Sequence, residues 1–66
     1  MSQTEQIRDH LEAGLPITAI EALKDYGCLR LAARVRDLRE SGMDIFTETV
    51  RNNGNRYAMY TARVSK

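Results

Sequence analysis

The sequence predicts a small α+β fold, mainly α, in which three helices are followed by a β-hairpin. Three observations predict it. Apolar residues recur at helical spacing from Ile7 to Leu38. Capping residues and glycines cut that stretch into three pieces. Beyond Gly42 the chain turns β-branched and aromatic around Asn52-Asn53-Gly54-Asn55, a strong hairpin turn signal. With 66 residues, a single apolar core only just outweighs chain entropy, so one domain over 1–66 is expected, without room for a deep pocket.

The first helix is expected over about 4–13. Ile7 and Leu11 lie four apart, Leu15 continues their stripe, and Glu5, Arg8, Asp9 and Glu12 fall elsewhere. Ser2 or Thr4 caps it, Ser2 having Glu5 at capping-box spacing, and Gly14 stops it. The second helix, about 18–26, starts from the capping box Thr18/Glu21 with Ile17 as staple residue and ends at Gly27. Ile20 and Leu23 are expected to point inward, with Ala19 and Ala22 as small contacts. The third, about 29–41, has no Gly, Pro or Asn inside. Leu31, Val35 and Leu38 recur at i, i+4 and i+7 as its buried stripe. The opposite side gathers Leu29, Arg30, Ala33, Arg36, Asp37 and Glu40, with Arg34 and Arg39 on the flanks. The hairpin strands are expected over about 44–50 and 56–64, the second reaching Val64. Alternation leaves open which face is buried; Ile45 and Tyr60 are assigned to the core.

The net charge of +1 conceals an uneven distribution. Residues 1–25 hold two basic and five acidic side chains, a net −3, whereas residues 26–66 hold eight and four, a net +4. Such asymmetry points to nucleic-acid or membrane contact. Eight of the ten basic residues are arginines, whose planar fork holds a phosphate or a guanine edge with two parallel hydrogen bonds. The longest apolar-rich run, Ala13 to Ile20, is far too short to span a bilayer and no signal peptide is recognisable, so a cytoplasmic location and no membrane partner are expected. The single Cys28 forms no internal disulfide and has no base placed near it by sequence. His10 is expected at the surface of the first helix, without a metal constellation around it. Met43 and Met59 read as core filler, and Tyr26, Tyr57 and Tyr60 as core and hairpin packing. No paired carboxylates, nucleophile with base or phosphate loop appears, so no enzyme activity and no cofactor are expected.

The glycine turn at Gly27-Cys28 gives the last two helices the spacing of a helix-turn-helix. With the hairpin added, the layout is a winged helix-turn-helix. Its physics suits duplex DNA: a helix enters the major groove and the wing reaches the adjacent backbone or minor groove. Arg30, Ala33, Arg34, Arg36 and Asp37 are the expected DNA-contacting residues of the third helix, Asp37 fixing the Arg34 rotamer. Arg51, Asn53, Asn55 and Arg56 are those of the wing. Arg34 and Arg39, nearest the core stripe, are the arginines best placed for structural pairing, for example with Glu21 or Glu40.

Ile17-Thr18, Glu21-Ala22-Leu23, Tyr26-Gly27, Arg30-Leu31-Ala32, Arg34-Val35, Asp37-Leu38-Arg39, Gly42 and Ile45 together resemble small winged helix-turn-helix proteins, mostly encoded by phages and prophages. The resemblance spans roughly residues 15–60 and implies a DNA-binding winged helix. Relatives of this fold include repressors and recombination directionality factors. The function expected is sequence-specific binding of double-stranded DNA by a small transcriptional regulator, a repressor acting by occlusion, since the length leaves no room for a ligand-sensing module. A homodimer or a cooperative array is the expected route to useful affinity. The alternatives are a DNA-bending recombination factor and a protein-interaction module that docks a host protein through its acidic helices.

Overall fold

The computed structural model describes residues 2–63. In chain order the elements are α1 (Gln3–Glu12), β1 (Ile17–Thr18), α2 (Ala19–Tyr26), α3 (Leu31–Glu40), β2 (Ile45–Asn52) and β3 (Asn55–Ala62).

Local chemistry sets most boundaries. At α1 it is Ser2, rather than Thr4, whose hydroxyl caps, accepting from the Glu5 N–H at 3.2 Å. At α2 the capping box closes in both directions, Thr18 accepting from the Glu21 N–H and the Glu21 carboxylate accepting from the Thr18 N–H. Gly27 ends α2 at φ +65, in the left-handed region, with its N–H bonded to the Leu23 carbonyl and the Cys28 N–H to that of Ala22. This double closure satisfies the last carbonyls of α2 and swings Cys28 into the core.

The helix after the turn begins at Leu31, not Leu29. Arg30 sits at φ −126, ψ 66 as the N-terminal flanking residue, because the chain must still be turning out of α2 there. Leu29 and Arg30 therefore precede the helix that their composition suggested they would join. Leu31, Val35 and Leu38 are buried as the periodicity predicts.

One strand escaped the sequence reading. Ile17 and Thr18 pair antiparallel with Tyr60 and Met59, so the hairpin is part of a three-stranded sheet of order β1-β3-β2. Two residues are too few for alternation to show. The hairpin itself extends further toward its tip than expected, to Asn52 and Asn55, and closes through Asn53 and Gly54 at φ 51 and 81, values that fit a type I′ turn. β3 ends at Ala62, and Val64, expected to close it, lies outside the described residues.

The core comprises Ile7, Leu11, Ile17, Ala22, Cys28, Leu31, Val35, Leu38, Ile45 and Ala62, with Tyr26, Met43 and Tyr60 packed against it. Ile45 and Tyr60 thus settle the open question of the hairpin face. Residues opposite each other across the ladder share a face, so Ile45, Thr47, Thr49 and Arg51 lie with Ala62, Tyr60, Ala58 and Arg56 on the side that carries the helices. On the other side the Arg63 guanidinium covers the Phe46 ring at 4.9 Å.

Four expectations about packing are corrected. Ile20 and Leu23 are 75% and 50% exposed, and the residue of α2 that reaches the core is Ala22. At 3.6 residues per turn, a helix that turns Ala22 inward holds Ile20 on nearly the opposite side and Leu23 on its flank. Leu15 is 52% exposed because Gly14, at φ +83, breaks the stripe begun by Ile7 and Leu11, and Ile17 takes the next core position. Met59 is half-buried on the sheet face away from the helices, because alternation along β3 gives the inward positions to Ala58, Tyr60 and Ala62. His10 is no free surface residue. Its Nε2 donates to the Pro16 carbonyl at 2.9 Å, which leaves Nδ1 to accept from the Tyr26 hydroxyl at 2.7 Å. With Gln3 Nε2 donating to the Tyr26 and Gly27 carbonyls, this ties α1 to the end of α2 just before the turn into α3.

Candidate nucleic-acid interface

The arginines of α3 divide by what holds them. Arg39 donates from Nε and Nη2 to the Ile45 carbonyl and from Nη2 to Thr47 Oγ1 at 2.9 Å. It is a brace between α3 and β2, structural as expected, but through a carbonyl and a hydroxyl instead of Glu21 or Glu40. Arg34 pairs with Asp37 at 3.5 Å, the i,i+3 contact its spacing predicted. The Arg34 Nε is buried without a hydrogen-bond partner among the described residues. Arg36 pairs with Glu40 at 3.1 Å on the outermost face of the helix. Glu40 is thereby placed beside a cation that the sequence reading had left free.

Arg30 stands apart from these three. It is exposed and lies at the start of α3, where there is no side-chain cap and no acidic residue in the first turn. The positive end of the helix dipole is therefore unneutralised at this point. Arg30 and Arg34 line one hollow of about 320 Å³ together with Gln3, Gly27 and Leu29. Arg30 and Ala33 line another, of about 440 Å³, between the start of α3 and strand β3. Arg36 and Asp37 lie one to two turns further along the helix. Of the helix residues singled out from sequence, the structure thus gathers Arg30, Ala33 and Arg34 at one end, joins Asp37 to them through its pair with Arg34, and leaves Arg36 with Glu40.

At the wing, Arg51 and Arg56 are directly opposite each other across the ladder, next to the closing pair Asn52 and Asn55. The odd-numbered residues of β2 point their backbone groups away from β3, since the Arg63 N–H bonds to the Asp44 carbonyl and hydrogen-bonded pairs alternate from there. Arg51 and Arg56 accordingly form a non-hydrogen-bonded pair, the kind in which side chains come closest. Among the described residues neither forms an ion pair. They line a tip hollow of about 400 Å³ with Asn52, Asn53 and Gly54; Asn55 is exposed at the base of the turn but outside that lining.

A family model described as a winged helix-turn-helix domain matches residues 2–63. The chain belongs to the winged helix-turn-helix domain family. No curated protein and no solved structure matches it. In this winged helix-turn-helix domain α2, the Gly27-Cys28 turn and α3 are the helix-turn-helix, and β2 with β3 is the wing. Among the described residues no helix is long and apolar enough to cross a membrane, and no cluster of His, Cys, Asp or Glu could hold a metal ion.

Sequence reasoning passed over Leu29, Ala19, Ala58 and Tyr60, which border the groove at the start of α3. Leu29 carried a signal, since the helical wheel already put it on the outer side. Ala19, expected as a small inward contact, is exposed, and Ala58 and Tyr60 reach the groove only through the place of β3 in the sheet, which no local pattern shows.

Proposed function

We propose that this winged helix binds double-stranded DNA in a sequence-specific way, α3 lying in the major groove and the wing on the neighbouring backbone or minor groove. The observation that carries this reading is the Arg51/Arg56 pair. Like charges directly opposite on a ladder repel and destabilise the sheet. Here they sit next to the turn of the wing with no ion-pair partner among the described residues, on the sheet face from which the helices rise. A phosphate between them relieves that repulsion with charge-assisted hydrogen bonds. Asn53 and Asn55 flank them as further backbone contacts. On α3, Arg30, Ala33 and Arg34 meet base edges or the adjoining phosphates, while Arg36 and Asp37 contribute further along the groove.

The biological role that fits is a small cytoplasmic transcriptional regulator of the phage type, a repressor that occludes its site, without a cofactor, ligand or chemistry of its own. One such domain covers a modest surface, so a homodimer or occupancy of adjacent sites supplies the affinity. A mobility-shift titration against duplex DNA at several salt concentrations tests this. Binding that strengthens on a selected sequence and falls steeply with salt supports the proposal, and binding indifferent to salt sinks it.

The exposed Ile20 and Leu23 on the acidic half favour a second reading, in which α2 docks a host protein. A purified complex with one protein partner, together with no DNA footprint, would select it.

A further inference from the structure

We propose, on the basis of the DNA-binding reading above, that Leu29 is a specificity-determining residue and that the groove beside it receives the 5-methyl group of a thymine. Residues at the N-terminal end of a recognition helix are the ones that meet base edges. In this chain that end reads Leu29-Arg30-Leu31-Ala32-Ala33, in which Arg30 is the single side chain able to form a hydrogen bond. Leu31 is buried in the core, which leaves Leu29, Ala32 and Ala33 around Arg30.

Leu29 is 82% exposed, more than any other large apolar side chain among the described residues. Its neighbours make that exposure informative. Together with Ala19, Ala33, Ala58 and Tyr60 it lines the groove of about 440 Å³, whose walls are apolar except for Arg30 and the Tyr60 hydroxyl. The rim is positive, because among the described residues Arg30 forms no ion pair and the first turn of α3 holds no acid. An apolar pocket with a cationic rim suits a polyanion that also carries apolar groups, and it is continuous with the α3 face assigned to the major groove.

In that groove the bases differ in what they present. Arg30 matches the two acceptors of guanine, whereas the amino groups of adenine and cytosine would lie unsatisfied against alanine methyls. Thymine alone offers a methyl group there. Leu29 and the alanines are complementary to it.

The experiment starts from a duplex site selected from a random library by the wild-type protein. Each thymine is then replaced singly by deoxyuridine, which removes the methyl and keeps the pairing. At one or two positions affinity is expected to fall about fourfold, the worth of roughly one buried methylene. In Leu29→Ala the thymine-to-uracil ratio at those positions should drop to about one. Its melting temperature should stay at the wild-type value, because Leu29 is outside the core. A selected site indifferent to uracil everywhere, or a Leu29→Ala protein that keeps the wild-type ratio, overturns the inference. Failure to select any sequence overturns instead the DNA-reading proposal on which it rests.

Discussion

The arginines of α3 and those of the wing are the same residue type in opposite circumstances. On the helix, Arg34, Arg36 and Arg39 are each engaged by a partner from the same chain, whereas at the wing Arg51 and Arg56 face one another with none among the described residues. A cation already held by a carboxylate or a carbonyl has its rotamer fixed and part of its charge offset. It gains little from a phosphate. An unpaired and mutually repelling couple has the reverse character, attracting any polyanion and distinguishing little. On the proposed DNA-binding reading the wing supplies non-selective attraction and discrimination falls to the start of α3, where Arg30 is flanked by apolar side chains, two contributions that separate in protein–DNA recognition generally.

The strongest way to break this division is to remove the wing couple. In the double variant Arg51→Ala/Arg56→Ala, affinity for every duplex should fall by about a hundredfold, taking about 1.5 kcal/mol for each charge-assisted contact. The slope of log affinity against log salt should flatten by about 1.8. Meanwhile the melting temperature should hold or rise, because a repelling cross-strand pair has gone. A loss confined to one sequence would transfer the reading role to the wing.

Arg30→Ala tests the helix side. It should cost about 1–3 kcal/mol on the selected site and much less on unrelated duplexes, measured by competition titration. Equal loss on both would make Arg30 a phosphate contact. Arg39→Ala separates bracing from binding: denaturant unfolding should show a loss of about 1–2 kcal/mol from the hydrogen bonds to Ile45 and Thr47. DNA affinity of the folded fraction should be retained. The smallest effect is expected for Glu40→Ala, which releases Arg36 from an exposed pair worth about 0.5 kcal/mol at most. Stability should barely change, and the ratio of selected-site to unrelated-duplex affinity should narrow as the freed cation accepts any phosphate.

What the sequence discloses and what it withholds follow from how local each feature is. The Thr18/Glu21 box, the Leu31, Val35 and Leu38 stripe and the Asn53-Gly54 turn are written within a few residues of chain and emerge in place. β1 is legible only through its partner some forty residues away, Tyr60 pairing with Ile17. The inward direction of α2 is set by its packing against the rest of the fold, so Ala22 rather than the more hydrophobic Ile20 and Leu23 reaches the core. In the interface, the arginines and the Arg34–Asp37 contact can be read from spacing. The acceptor of Arg39 cannot, since a backbone carbonyl carries no sequence signature. The opposition of Arg51 and Arg56 lies between these cases, being implicit once the turn is known to hold two residues.

That two-residue turn also makes the direction of the wing's charge a matter of parity. Side chains on the helix-facing surface are odd-numbered along β2 and even-numbered along β3. One residue added between Val50 and Arg51, with the ladder below it intact, would send Arg51 to the far surface and leave Arg56 alone on the near one. Two residues added to each strand below the arginines would return both to the near one. Among chains built on this plan, wings that lengthen in even steps keep their electrostatic aim, and wings that lengthen in odd steps need a bulge or a relocated arginine to recover it.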